Sequence, residues 1–242
     1  MNKSRNKASE LDFSLKWVGS FLVLITSVSS CNETIEAQPE TVGYDFYPIE
    51  IGQYSIYEVE EIQFKIIGFD TSVYQLRETV FDSIESIDQV TYLIRRDIRS
   101  NELAEWTSDS LWSVAATESY MAVNENSIPF IKLIFPVTSG REWDGNSLNA
   151  NRERIYYYET IPTSVIDSLQ ACDHIRVVIE DIEDNITGVD LRSEIYAKGI
   201  GLVEKDYLTQ EKCTASDCGD DLGKVIAGRS LKQSLIETGV NE

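Results

Sequence analysis

The chain has a single histidine, His174, and few basic side chains, and each shortage excludes functional classes. One histidine rules out a histidine-rich metal site and leaves little basis for Ser-His or Cys-His catalysis. Lysine and arginine together number 21 against 41 acidic residues, which makes the net charge −20. Because binding to phosphate groups needs clusters of Lys and Arg, we expect no nucleic-acid partner.

Motifs for cofactors and activated nucleophiles are also missing. The sequence contains no GxGxxG, Walker A, HExxH or GxSxG pattern, so no cofactor, metal site or catalytic residue is predicted. Two acidic groups, residues 180–184 and Asp217 with Asp220 and Asp221, offer oxygen ligands of the kind that calcium takes. Neither group has the spacing of an EF-hand, and we interpret the first as a solvated hairpin end.

The N-terminal segment has the parts of an export signal. Lys3, Arg5, Lys7 and Lys16 make a positively charged region, and residues 17–28 then run without a charge. As a helix this run reaches about 18 Å, which is short of the roughly 30 Å hydrocarbon core of a bilayer. The length therefore indicates a signal peptide rather than a membrane-spanning helix.

This segment ends in Val28-Ser29-Ser30-Cys31, which resembles a bacterial lipobox: a branched apolar residue, two small residues and a cysteine. Small side chains admit the signal peptidase, and the thiol of Cys31 takes the diacylglycerol. We therefore expect removal of residues 1–30, a lipidated tether over 31–43, and a domain over 44–242. The alternatives are an ordinary signal peptide with an incidental cysteine, or a short core segment.

Two glutamates after this cysteine bear on location. Glu33 and Glu36 resemble the surface-export signal of Bacteroidetes lipoproteins, although Thr34 and Ile35 interrupt it. We expect a lipid anchor in the outer membrane, with the domain facing the periplasm or the cell surface.

Residues 44–242 contain no internal linker and no repeat, so a single domain is expected. Apolar residues recur mostly with a period of two, and about ten strand candidates are separated by turn signals such as Asp144-Gly145-Asn146. This pattern predicts a mainly β fold: a single antiparallel, meandering sheet, curved or partly closed like a barrel. At most one or two short helices are expected, one of them over residues 163–171, and residues 231–237 are ambiguous between strand and helix.

The aromatic residues of this domain have two interpretations. Tyr156, Tyr157 and Tyr158 would place rings on both faces of a strand, either half-buried with their hydroxyls at the rim or as an aromatic ligand-binding surface. Trp143, between the turn-forming Gly140 and Gly145, is expected to plug the edge of the core.

Three cysteines remain after Cys31. In an oxidising compartment pairing is expected, and Cys213 and Cys218 enclose a short loop of turn-forming residues, which makes them the preferred bridge. Cys172 paired with one of them is the alternative. An odd cysteine is left in either case.

Three stretches of the domain resemble a family of Bacteroidetes outer-membrane or surface lipoproteins. They are YPIEIGQYSIY at 47–57, LIFPVTSGREWDGN at 133–146 and EIYAKGIGLV at 194–203. The resemblance spans most of residues 44–208 and implies a β-rich periplasmic or surface domain on a lipid tether. It carries over no catalytic residues, because no activity is established for that family.

These features predict an envelope lipoprotein that binds a ligand or a partner protein and is not an enzyme, since no catalytic constellation is visible. Two alternatives stay open. A carbohydrate-active hydrolase would need two buried carboxylates about 5–10 Å apart in a cleft. A lipid-handling half-barrel would need an apolar cavity, and an interior packed with side chains would count against it.

The anchor leads to a first prediction. Replacing Cys31 by alanine should abolish both incorporation of labelled fatty acid and partition into the detergent phase, because the thiol is the acceptor of the lipid. Two or three acyl chains hold a protein on a membrane firmly where one does not. Cys172→Ala is the matched control and should keep the label. Unchanged labelling of the Cys31 variant would refute the anchor.

Overall fold

The computed structural model describes residues 42–161, 173–214 and 216–241. These residues fold into twelve strands and two short 3-10 helices, Tyr44–Phe46 and Ser216–Asp221. The strands are β1 (Gln53–Phe64), β2 (Phe69–Glu85), β3 (Val90–Arg99), β4 (Thr107–Ala116), β5 (Tyr120–Glu125), β6 (Ile128–Ile134), β7 (Glu142–Asp144), β8 (Ile155–Thr160), β9 (His174–Ile182), β10 (Gly188–Ala197), β11 (Gly201–Lys212) and β12 (Val225–Val240).

All twelve strands belong to one antiparallel sheet, in the order β6-β5-β4-β3-β2-β1-β12-β11-β10-β9-β8-β7. Each strand pairs with the next along the chain except β6 with β7, and β1 pairs with β12 instead. That pairing runs from Gln53 opposite Val240 to Phe64 opposite Gly228. The sheet nearly closes into a barrel, which confirms the predicted fold class.

The two free edges, β6 and β7, meet along a seam that holds the sheet nearly closed. The amide of Ile131 donates to the carbonyl of Gly145 at 2.9 Å, and the indole of Trp143 donates to the carbonyl of Ile131 at 2.9 Å. The hydroxyl of Tyr158 on β8 lies 2.8 Å from both backbone polar atoms of Ile134 and bonds to each. Trp143 thus packs at the edge of the core, as its flanking turns predict.

The run of three tyrosines on β8 alternates between the faces of the sheet. Tyr156 and Tyr158 are buried, and the ring of Tyr156 fills the space that a side chain at Gly145 would need. Tyr157 points outward, where its hydroxyl donates to Asp181 at 3.1 Å. The prediction that these hydroxyls lie at the rim is therefore wrong for Tyr158, because its hydroxyl forms hydrogen bonds with backbone groups at the seam.

The core follows from the alternation along the strands. On β1, Tyr57 and Val59 are buried whereas Glu58 and Glu60 are exposed. The main apolar cluster collects residues of β2 through β10, with aromatic side chains at the seam. Strand β6 ends at Ile134, just before the Phe135–Pro136 pair that predicts its end. In the described part of the chain, the buried side chains of the main apolar cluster pack against one another in the interior of the sheet.

Because neighbouring strands run in opposite directions, their connections gather at two ends of the sheet. One end, here called the N-terminal rim, consists of residues 42–52 and the connections 86–89, 117–119, 135–141 and 198–200. The opposite rim consists of the connections 65–68, 100–106, 126–127, 145–154, 183–187 and 213–224. In the described ranges, no helix has both the length and the apolar character needed to cross a membrane.

Several sequence predictions fall at particular places in this fold. Residues 231–237 belong to β12, so the strand alternative holds. Cys213 and Cys218 are joined at the opposite rim, with their Cα atoms 6.2 Å apart. The helix expected over residues 163–171 lies outside the described residues, as do Cys31 and Cys172.

The seam leads to a second prediction. Tyr158→Phe leaves a partly buried amide and carbonyl of Ile134 without their partner, so it should lower the free energy of unfolding by about 1–3 kcal/mol. Tyr157→Phe, on the same strand, removes only a hydrogen bond at the surface and should change it by less than about 0.5 kcal/mol. Urea unfolding of both variants measures the difference. Equal effects would show that the hydroxyl of Tyr158 does not stabilise the seam.

Candidate functional site

The N-terminal rim contains an open cleft with a volume of about 1010 Å³. Four parts of the chain surround it: the segment before β1, the β2–β3 connection, the β4–β5 connection and the start of the β6–β7 connection. The lining residues are Tyr44, Tyr47, Pro48, Ile49, Ser86, Ile87, Asp88, Gln89, Val90, Ala116, Thr117, Glu118, Ser119, Tyr120, Met121 and Phe135. A concave surface of this size at the end of a rigid sheet suits the binding of a ligand.

The segment before β1 supplies aromatic side chains to one wall of the cleft. The ring of Tyr44 packs edge-on against Phe135, with centroids 4.7 Å apart. The hydroxyl of Tyr44 donates to the backbone carbonyl of Glu118 at 3.0 Å. This bond ties the segment to the β4–β5 connection across the cleft.

The β4–β5 connection is held by the side chain of one threonine. The hydroxyl of Thr117 accepts from the amide of Tyr120 at 2.9 Å and from that of Ser119 at 3.2 Å. It also donates to the carbonyl of Tyr120 at 2.9 Å. The turn is thereby fixed, and it presents Glu118 and Ser119 to solvent beside the cleft.

A second polar site lies in the interior, where charged side chains of non-neighbouring strands meet. Glu194 on β10 is 1% exposed and accepts a hydrogen bond from Nζ of Lys132 on β6 at 2.8 Å. Lys132 also lies 2.9 Å from Oε1 of Glu125 on β5, and Lys205 on β11 lies 3.3 Å from Oε1 of Glu194. Two carboxylates and two ammonium groups neutralise one another in this ionic cluster.

Two tyrosine hydroxyls donate further hydrogen bonds to the carboxylate of Glu194. Tyr196 donates to Oε2 at 2.6 Å, and Tyr207 donates to Oε1 at 2.5 Å. Burial, and then the charge of Glu194, raise the pKa of both tyrosines well above its ordinary value, so both stay protonated donors. Tyr47 packs against Tyr196 with ring centroids 6.2 Å apart and so connects the ionic cluster to the cleft.

The ionic cluster is charged at neutral pH. Burial by itself would raise the pKa of Glu194, but Lys132 and Lys205 outweigh it and hold that pKa below its ordinary value. Burial would also raise the pKa of Glu125, but Lys132 and Lys205 outweigh it and lower that pKa. Burial alone would lower the pKa of Lys132, but Glu125 and Glu194 raise it well above its ordinary value.

The lowered pKa values of Glu125 and Glu194 bear on the hydrolase hypothesis. Glu125 and Glu194 are close together, since both contact Lys132, but they lie in the interior rather than in the cleft. A glycosidase needs one carboxyl group with a raised pKa as its general acid. Because both pKa values are lowered, this pair does not have the properties of a catalytic acid and its partner.

The acidic residues predicted as possible calcium ligands do not come together where the structure describes their side chains. Three carboxylates of the two acidic groups form ion pairs instead: Glu180 with Arg154, Asp184 with Lys212, and Asp221 with Lys224. In the part of the chain that the structure describes, no group of three or more His, Cys, Asp or Glu could hold a metal ion. His174 begins β9 with its ring buried, and burial lowers its pKa.

The sequence does not mark the residues of the cleft or of the ionic cluster as functional. Lys132 does have a signal, since it is a lone charge in the apolar run Phe130 to Phe135. Glu194 and Lys205 are direct neighbours across β10 and β11, which appears only once the register is known. Tyr47 and Phe135 of the cleft fall in stretches that resemble the Bacteroidetes lipoproteins, but nothing in the sequence indicates that the separate connections meet.

The chain was compared with known families, curated proteins and solved structures. No protein-family model matches the chain, and no curated protein matches it. One solved structure is similar: a protein from Bacteroides fragilis, assigned as exported and described as having a YmcC-like fold. It is 12% identical, the alignment covers 80% of this chain and 98% of that one, and the TM-score is 0.41.

The ionic cluster leads to a third prediction. Glu194→Gln leaves two buried ammonium groups with only Glu125 to neutralise them, so it should lower the free energy of unfolding by about 3–5 kcal/mol. Glu153→Gln, the same change at an exposed loop position, should have little effect. Unfolding in urea at neutral pH compares the two variants.

The same variant tests the pH dependence. Since the pKa of Glu194 is lowered from 4.5 in the native state, its contribution is present above that pH and is lost as the pH falls below it. The wild type should therefore lose more stability between about pH 5 and pH 3 than Glu194→Gln does. Equal losses of stability in the two proteins over this pH range would contradict the assignment of the pH dependence to Glu194.

Proposed function

We propose that this chain is an exported lipoprotein, anchored in the outer membrane through Cys31, whose β-rich domain binds a ligand in the cleft at the N-terminal rim. The observation that carries the proposal is the cleft itself, which is concave, partly aromatic and next to the segment that follows the tether. The positive region, the uncharged run and the lipobox support the anchor. The resemblance to Bacteroidetes lipoproteins agrees with it.

The rest of the structure favours binding over the two alternatives. The filled interior leaves little room for a lipid inside the sheet, which disfavours a lipid-handling half-barrel. The close carboxylate pair is neutralised by lysines and lies outside the cleft, which disfavours a hydrolase. The bond between Cys213 and Cys218 suits an oxidising compartment outside the cytoplasm.

Occupancy of the cleft can be tested in cells. A photo-crosslinking amino acid at Ser119, which lines the cleft and is exposed, should yield a covalent adduct with a defined mass. The matched control is the same amino acid at Leu103, which is 97% exposed on the opposite rim. Mass spectrometry of the purified protein measures both adducts.

A specific ligand should give an adduct at Ser119 and none at Leu103. Tyr44→Ala removes an aromatic wall of the cleft and should reduce the adduct at Ser119. Equal labelling at both positions, or labelling that is indifferent to Tyr44→Ala, would contradict a ligand site at the N-terminal rim.

A further inference from the structure

The cleft carries carboxylates and no cationic side chain. Among its sixteen lining residues are Asp88 and Glu118, and none is Lys, Arg or His. Val90 on β3 pairs with Ala116 on β4. Asp88 lies two residues before Val90, in the β2–β3 connection, and Glu118 lies two residues after Ala116, in the β4–β5 connection. Neither carboxylate forms an ion pair with another residue that the structure describes. Two carboxylates therefore line the same cleft without a cationic partner among the residues that the structure describes.

The basic side chains at the same rim are engaged elsewhere. Arg141 donates to the carbonyl of Pro136 at 2.7 Å, and Lys198 lies 3.1 Å from Asp173. The parts of the chain next to this rim in sequence add only negative charge. Residues 31–41 contain three glutamates, residues 162–172 contain one aspartate, and neither stretch has a lysine or arginine.

The remaining lining is aromatic and aliphatic. Tyr44 and Tyr120 line the cleft with partly exposed rings, and ring faces attract ammonium and guanidinium groups by about 0.5–1 kcal/mol at exposed sites. Ile87 is 100% exposed at the edge of the cleft, and Ile49 lines it from the other side. An apolar ligand body would bury these side chains.

We propose that the cleft binds an organic cation, an ammonium or guanidinium group attached to an apolar or aromatic body. This inference rests on the proposed function and specifies its ligand class. The carboxylates of Asp88 and Glu118 would pair with the cation, the rings would face it, and the apolar body would lie against Ile49 and Ile87. The net charge of −20 attracts such a ligand over a longer range.

Three matched probes test the charge requirement. They are the acetylated, amidated dipeptides 4-fluorophenylalanyl-lysine, -glutamine and -glutamate, which share an aromatic body and differ in charge. Binding to the protein purified from membranes in a nonionic detergent is followed by the fluorine NMR shift. We expect the lysine probe to bind at least about threefold more tightly than the glutamine probe, and the glutamate probe most weakly.

The variants assign the selectivity to the cleft. Asp88→Asn with Glu118→Gln should remove the preference for the lysine probe, and raised salt should weaken it in the wild type. Asp206→Asn with Glu102→Gln makes the same chemical changes at exposed positions outside the cleft and should preserve the preference.

The outcomes separate this inference from the proposed function. Equal binding of all three probes, lost in Tyr44→Ala, would overturn the charge requirement while leaving a ligand site in the cleft. Tighter binding of a neutral sugar such as N-acetylglucosamine than of the lysine probe would likewise overturn the cationic class in favour of a glycan. Failure of the lysine probe to bind would also overturn it, whatever the photo-crosslinking shows.

Discussion

The structure depends on the closure of its sheet, which the pairing of β1 with β12 makes possible. A flat sheet of twelve strands would leave its apolar face in water, whereas a twisted sheet brings its two edges toward each other. The β1–β12 pairing joins two six-stranded meanders, and the free edges then meet at the seam between β6 and β7. Backbone bonds of Ile131 and Ile134 hold that seam, together with the side chains of Trp143 and Tyr158. The interior is enclosed because both the β1–β12 pairing and the seam between β6 and β7 form.

An enclosed interior changes the energetics of every group that faces it. An ion pair between Lys132 and Glu194 would contribute little on an open, solvated sheet, whereas inside it must be neutralised and fully hydrogen-bonded. Tyr196 and Tyr207 supply the additional hydrogen bonds. The ionic cluster is therefore a consequence of closure, and its lowered carboxyl pKa values suit a structural role rather than proton transfer. The same closure leaves the strand ends open at the N-terminal rim, where the cleft forms.

The fold class was predictable because alternation is a local property. On β1, the pattern in which Tyr57 and Val59 are buried between exposed glutamates can be read directly from neighbouring residues. Turn-forming residues mark most strand ends, and Phe135–Pro136 marks the end of β6 correctly. The role of Tyr158 was not predictable, because its hydroxyl bonds to Ile134, a residue on another strand brought near by the seam. Apart from Lys132, a lone charge in an apolar run, local patterns do not reveal the ionic cluster or the cleft, since each collects residues from distant parts of the chain.

The sequence by itself predicts an export signal and determines the strand-rich character and the strong negative charge, because each depends on composition or on neighbours along the chain. Only the tertiary structure decided which charges are buried and paired and which remain free. Glu194 and Glu118 look alike in the sequence, yet one is enclosed by two lysines and two tyrosines and the other lies exposed beside a cleft without a cation. The reason is that strand register and sheet closure set the surroundings of a carboxylate, and those surroundings set its pKa and its available partners.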